Sequence, residues 1–221
     1  MDNKDKIILD LCGGTGAWSN PYKNAGYDVR VITLPDYDVS TYNPPDNVYG
    51  ILAAPPCLEF SLARNGINNH MTEAPKRDFE KGMVIVNHCL RIVSVSSPAF
   101  WALENPCGML SRFLGKPAFT FQLWQFGDLW TKRTALWGAF NKPKPLFKTQ
   151  EDCLKQIDPI PIKNWFHPLG ICFSLRPNKI LPSRADMDKT TFRFTGMKEE
   201  RSAFRAITPP GFARAFFEAN R

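Results

Sequence analysis

The sequence predicts an α/β protein: a doubly wound, mostly parallel sheet with a small irregular basic lobe. Three observations carry that prediction. Short apolar runs alternate with stretches of helical period, tight turns follow three of those runs, and Pro and Lys crowd into one late stretch with little periodicity. A chain of 221 residues, 43% hydrophobic and 22% charged, has room for one large domain and an appendage. The expected division is 1–138 as an α/β core, 139–204 as the basic lobe and 205–221 as a terminal helix returning to the core.

Ile7–Leu11 reads as a first buried strand running straight into Gly13-Gly14-Thr15-Gly16. It is too short for a membrane span, which needs ~20 apolar residues, and too soon broken by glycine for a signal peptide. A short helix follows over Pro21–Ala25, then a second strand over Val29–Leu34 and a third over Tyr49–Ala53, stopped by Pro55-Pro56. Residues 62–77 are polar and aperiodic and read as a loop. From Asp78 a helix is expected, with Met83, Val86, Leu90 and Val93 at helical spacing. Phe100–Leu103 is a further strand ended by Asn105-Pro106, and Thr134–Trp137 a later one. Residues 139–195 form the Pro- and Lys-rich stretch. Pro209–Ala219 reads as a terminal helix with Phe212, Ala215, Phe216 and Ala219 on one face. In such a sheet ligands gather at the carboxyl ends of strands, so the three tight turns should converge on one crevice.

Charge is unevenly spread. Residues 1–111 hold 9 Lys/Arg against 12 Asp/Glu, a balance of −3; residues 112–221 hold 19 against 9, a balance of +10, which together give the net +7. A basic half beside a near-neutral half suggests a polyanion against the C-terminal part; the plain alternative is a solvated basic surface. The six cysteines, at 12, 57, 89, 107, 153 and 172, include no C-x-x-C pair. With three histidines at unrelated positions, they give no zinc-like spacing. Reduced thiols in cytoplasm, mostly serving as small buried residues, are the expectation, with no metal.

Three constellations carry chemistry. The first is Asp10-Leu-Cys-Gly-Gly-Thr-Gly16 after a strand, where glycines permit a tight turn and close approach to a ligand. It lacks the G-x-G-x-x-G or Gly-Lys-Ser/Thr pattern of a phosphate loop, so a nucleoside without a phosphate tail, such as S-adenosylmethionine, fits better. A simple turn is the bland reading. The second is Ala54-Pro-Pro-Cys-Leu-Glu-Phe-Ser61, in which two prolines hold the Cys57 side chain at a strand end. A thiolate there is a good nucleophile toward an electron-poor ring carbon. The third is Leu103-Glu-Asn-Pro106: a carboxylate just after an apolar strand must pair or serve a site, unless it caps the next helix.

DLCGGTG, APPCLEFS and LENP, in that order and spacing, resemble the DNA cytosine-5 methyltransferases. The segment Phe126–Gly138 and the ending Ile207–Asn220 are similar to the compact versions often carried by phages, so the resemblance covers about 1–140 and 205–220. It implies the S-adenosylmethionine-dependent methyltransferase fold and a reaction in which Cys57 attacks carbon 6 of a flipped cytosine. Glu104 protonates nitrogen 3, and carbon 5 takes the methyl group. It carries Asp10, Gly13, Gly14, Thr15, Gly16 and Trp18 over as the first wall of the cofactor site. Asp38 and Val39 would lie near the adenine, Pro55 on the far side, and Pro209 or Pro210 near the methionine end. Ser61, Arg64 and Asn65, in the loop after Cys57, would close over the DNA.

The chain departs from the pattern in three places. Leu34-Pro35 stands where an acidic residue usually binds the ribose, with Asp36 the nearest substitute. The paired arginines of the family appear as Lys132-Arg133-Thr134, from which Arg133 is taken as the group near the pyrimidine and Lys132 as a DNA contact. Only the basic lobe is left to read DNA, with Lys142, Lys144, Lys148, Lys163, Arg176 and Lys179 as candidate phosphate contacts. A monomer acting on DNA in the cytoplasm, away from membranes, is implied. Rival readings are an RNA cytosine-5 methyltransferase using Cys107, a non-catalytic DNA-binding protein of the same fold, and transfer of a group other than methyl.

Overall fold

The computed structural model describes residues 2–62, 76–128, 132–156 and 207–221. Six strands form one sheet: β1 (Ile7–Leu11), β2 (Asp28–Ile32), β3 (Val48–Ala53), β4 (Phe100–Pro106), β5 (Phe119–Gln122) and β6 (Arg133–Ala139), in the spatial order β2-β1-β3-β4-β6-β5. The pairs β1–β2, β1–β3 and β3–β4 are parallel, whereas β6 runs antiparallel to both β4 and β5. Among the described residues five strands therefore point one way and β6 against them. The chain steps outward from β1 to β2 and then returns to the other side of β1 as β3. That reversal makes the carboxyl ends of β1 and β3 a topological switch point, where a ligand crevice opens between diverging loops.

Helices cover both faces. On one lie α1 (Asn20–Asn24) and α5 (Pro210–Ala219), packed over Ile8, Leu52, Phe100, Ala102, Phe121 and Leu136. On the other lies α2 (Phe79–Ser96), packed over Leu9, Leu11, Ile51, Ala53 and Leu103. The period-2 alternation of the strands distributes the two sets. Helix α2 starts where the Asp78 side chain accepts the Lys81 N–H at 2.9 Å and stops at Ser97, which takes a left-handed φ of 45°. Its fully buried residues are Val86, Cys89 and Ile92, with Met83, Leu90 and Val93 half-buried beside them. The inward stripe is thus turned by about one residue from the one read off the sequence.

Helix α5 differs in the same way. Phe212 and Phe216 are buried as expected, but Ala213 and Phe217 complete the buried set, and Ala215 and Ala219 lie at its margin. The ring of Phe217 meets Tyr22 edge-on at 4.9 Å, and that large aromatic contact decides the helix rotation. Strand β5 was not expected; it forms a hairpin edge with β6, which is itself longer than the Thr134–Trp137 run. The described part of the Pro- and Lys-rich stretch holds to the core. Phe140 packs on Phe216 at 5.6 Å, Leu146 donates its N–H to the Gln125 carbonyl at 2.8 Å, and α4 (Gln150–Gln156) follows. The short helix α3 (Ser111–Leu114) lies just beyond β4. No described helix is long and apolar enough to cross a membrane.

Candidate active site

The glycine turn leaves β1 at Cys12, whose φ of 56° is left-handed, as are Gly14 at 57° and Gly16 at 72°. Beneath it sits Asp10, fully buried. Its Oδ2 accepts the Ser19 hydroxyl at 2.6 Å, while Oδ1 has no hydrogen-bond partner among the described residues. Burial lifts the Asp10 carboxyl to about 6, against the lowering pull of Ser19. A Cβ at Gly13 would lie 2.4 Å from Asp10 Cγ, so it is the carboxylate below that demands glycine at this position. Thr15 is exposed and Gly13 and Gly14 are half-buried.

The Cys57 turn lies one strand over. Ala54 continues the ladder, donating its N–H to the Leu11 carbonyl at 2.9 Å, and Pro55 is buried. The Pro55 carbonyl accepts the side-chain N–H of buried Asn105 at 3.1 Å, which ties the Pro-Pro-Cys segment to the end of β4. Phe60 N–H and Ser61 N–H both donate to the Cys57 carbonyl, at 3.0 and 2.9 Å, closing a tight turn. Phe60 is fully buried in the α2-side core, whereas Leu58 is 64% exposed. Cys57 is half-buried between them. None of the described cysteines is in a disulfide.

Glu104 follows Leu103 on β4 and shares the α1/α5 face with Ala102. Its Oε1 lies 3.3 Å from Lys132 Nζ, both side chains being mostly shielded from solvent. They border an open pocket of about 260 Å³ with Thr134, Thr208, Pro209 and Phe212. Arg133, the sequence's choice for this position, is exposed, and β6 alternation directs it to the opposite face. The cation that meets Glu104 is Lys132. Cys107 donates its backbone N–H to the Arg133 carbonyl at 3.0 Å. Burial pushes the Cys107 thiol up, with Arg133 pulling the other way and Glu104 adding to the rise.

The other predicted residues divide in two. Asp38 is exposed at the rim, its carboxyl held below the usual range by the Ser40 N–H, which it accepts at 2.8 Å. Asp36 is exposed nearby. Trp18 and Val39 are core instead: Trp18 is 1% exposed and meets Phe216 edge-on at 5.3 Å, and Val39 is buried on the α2 side. Lys142, Lys144 and Lys148 are exposed. Arg64, Asn65, Lys163, Arg176 and Lys179 lie outside the described residues.

Two residues escaped sequence reading. Asp128, fully buried, accepts the N–H groups of Gly211 and Phe212 at 2.9 Å each and so fastens the start of α5 beside Pro209. Burial nevertheless lifts its carboxyl to about 7. Arg77 donates to the carbonyls of Glu59 and Ser61, at 2.5 and 2.9 Å, within the Cys57 turn. Both bond to backbone groups, which every residue carries, so no spacing rule could have picked them out.

No group of three or more His, Cys, Asp or Glu among the described residues is arranged to hold a metal. No protein-family model matches the chain. A candidate DNA modification methyltransferase encoded within an E. coli prophage, known from a crystal structure, is similar at a TM-score of 0.43 and 18% identity over 73% of this chain and 54% of that one. The chain is also similar to the Type II methyltransferase M.DdeI of Desulfomicrobium norvegicum, 30% identical over 131 residues that cover 47% of this chain. It spans 28% of that relative's length.

Proposed function

We propose that the chain is an S-adenosylmethionine-dependent DNA methyltransferase acting on carbon 5 of cytosine, with Cys57 as nucleophile and Glu104 as the acid. One observation carries the reading: the Cys57 turn follows β3, Glu104 lies near the carboxyl end of the adjacent parallel strand β4, and the next residue, Asn105, ties β4 to that turn through the Pro55 carbonyl at 3.1 Å. The similarity to M.DdeI supports the same class of activity. Burial raises the Cys107 thiol, which disfavours its thiolate as the attacking group at neutral pH.

The residues present suit the cofactor. The half-buried Gly13-Gly14 backbone, the unpartnered Oδ1 of Asp10 beneath it and the exposed carboxylates of Asp36 and Asp38 offer acceptors and a side-chain-free surface to a nucleoside bearing a positive sulfonium. Asp10, Gly13, Gly14, Thr15, Gly16, Asp38 and Pro55 would hold it. When bound, it supplies an electrophilic methyl group.

The chain's own residues do the rest. Cytosine carbon 5 is a poor nucleophile until the ring loses its aromaticity. Attack by the Cys57 sulfur on carbon 6 does this and builds electron density at carbon 5. Glu104 meets the developing charge at nitrogen 3 and delivers a proton there. Lys132, 3.3 Å from Glu104 Oε1, borders the same pocket as the base enters. The base, flipped out of the duplex, would enter beside the Glu104 pocket that Lys132 and Thr134 border. Solvent takes the carbon-5 proton, the carbon–sulfur bond breaks with its electron pair returning to Cys57, and nitrogen 3 gives its proton back to Glu104, which restores the ring.

The test is a duplex carrying 5-fluorocytosine, incubated with the protein and labelled S-adenosylmethionine. The fluorine cannot leave as a proton does, so a denaturation-resistant complex should accumulate with the wild type and be absent with Cys57→Ser. A complex that persists in Cys57→Ser refutes the nucleophile assignment.

A further inference from the structure

We propose that Arg77 is a positioning residue for the nucleophile, a guanidinium clamp that sets the geometry of the Cys57 turn; this rests on the reading of Cys57 above. Three successive carbonyls of that turn face away from its internal hydrogen bonds, and each is captured from outside. Arg77 Nη1 donates to Glu59 O at 2.5 Å, Met109 N to Phe60 O at 2.8 Å, and Arg77 Nη2 to Ser61 O at 2.9 Å. Returning the contact, the Glu59 carboxylate accepts the Asp78 N–H at 2.8 Å. Gly108 approaches so closely that a Cβ there would lie 2.4 Å from Phe60 O.

The turn is thus hung between two supports. One is the start of α2, immediately after Arg77 and anchored by Val86, Cys89 and Ile92. The other is the turn after β4, which also carries Glu104. Arg77 is half-buried, and two of its nitrogens are committed to backbone oxygens two residues apart. A planar fork spans that interval with both donors fixed, whereas a lysine ammonium at one point reaches one carbonyl well and the other poorly. In a chain proposed to meet DNA, an arginine so near the nucleophile would serve phosphate if it pointed outward; here its guanidinium is directed at the turn. Because Cys57 O accepts from Phe60 and Ser61, fixing residues 59–61 fixes the residue that bears the sulfur.

The experiment compares wild type, Arg77→Ala and Arg77→Lys as full chains. It measures the single-turnover rate of adduct formation on the 5-fluorocytosine duplex, the affinity for that duplex, and hydrogen exchange at residues 57–62. A misplacement of about 1 Å costs up to ~100-fold, so adduct formation in Arg77→Ala should slow by roughly 10- to 100-fold. Duplex affinity should hold, and exchange should rise at Phe60 and Ser61 while α2 and β3 keep their protection. Arg77→Lys should recover only part of the rate, and added guanidinium should partly rescue Arg77→Ala. An unchanged rate, or lost affinity at an unchanged rate (a phosphate contact), overturns the clamp. So does exchange that rises equally along α2. An adduct in Cys57→Ser would instead overturn the nucleophile reading, a result independent of the exchange at Phe60 and Ser61.

Discussion

The two faces of the sheet are made of different materials. Over α1 and α5 the core is aromatic, with Trp18, Tyr22, Phe100, Phe121, Phe126, Phe212, Phe216 and Phe217 in mutual contact. Under α2 it is mainly aliphatic, with Leu9, Leu11, Ile32, Ile51, Val86, Ile92 and Leu103. The shielded carboxylates Asp10, Glu104 and Asp128 all belong to the aromatic side, each with a named partner: Ser19, Lys132, and the α5 amides. The Cys57 turn belongs to the aliphatic side through Phe60 and is held by backbone hydrogen bonds. The two groups proposed to react, Cys57 and Glu104, are thus supported from opposite layers, so their supports can be disturbed separately.

The sharpest way to break that separation is at the acid. Glu104→Gln keeps the shape of the side chain and removes its acid–base function, and should lower methyl transfer by about 10²- to 10⁴-fold while leaving the thermal midpoint unmoved. Steady-state transfer of labelled methyl to DNA reads this out. A comparable loss of stability would mean that the Lys132 contact is part of the core. The next effect is packing. Phe212→Ala empties a site stacked 4.3 Å from Phe121 and should cost about 3–5 kcal/mol, against about 0.5–1.5 kcal/mol for Ile92→Val under α2, measured by urea unfolding. Because Phe212 also lines the pocket, only its variant should impair transfer beyond what unfolding explains.

A smaller effect comes from pH. Asp128 is lifted from 3.8 to about 7. A raised folded-state value makes its contribution to stability complete below about 3.8, declining as pH rises and lost above about 7. Wild-type stability should therefore fall relative to Asp128→Asn by about 1.4 kcal/mol per pH unit across that window, followed by unfolding at fixed temperature. Asp10 has the same sign over a window ending at about 6. A difference between the two proteins that is flat with pH would show that the α5 amides hold Asp128 ionised. Smallest is the surface. Replacing Lys142 or Lys144 with Gln should reduce the salt dependence of duplex binding by about one counterion each, without changing the rate at saturation.

The parallel half was legible because each strand ends in a turn whose residues announce it: glycine after β1, two prolines after β3, Asn-Pro at the end of β4. Strand β5 offers four residues and no such punctuation, and among the described residues pairs only with β6. The choice between Lys132 and Arg133 turned on strand parity, where a shift of one residue exchanges the faces. Trp18 and Val39 lie beside the crevice in sequence and inside the core in space. The fastenings by Asp128 and Arg77 went unread because a backbone amide or carbonyl leaves no letter in the sequence.

Helix α5 has one more property. Besides the Asp128 latch at its start, its far end is bracketed by Asn141 and Asn220. The Asn141 N–H donates to Asn220 Oδ1 at 2.8 Å, Asn220 Nδ2 to the Asn141 carbonyl at 3.0 Å, and the Tyr22 hydroxyl to the Asn220 carbonyl at 3.3 Å. All of these partners lie outside residues 157–206. The helix is consequently moored like a plug-in cartridge, by sockets that belong to the scaffold. Changes in chain length between residues 156 and 207 should therefore leave these moorings in place, since loop-closure cost grows by only about 0.6 kcal/mol per doubling of length.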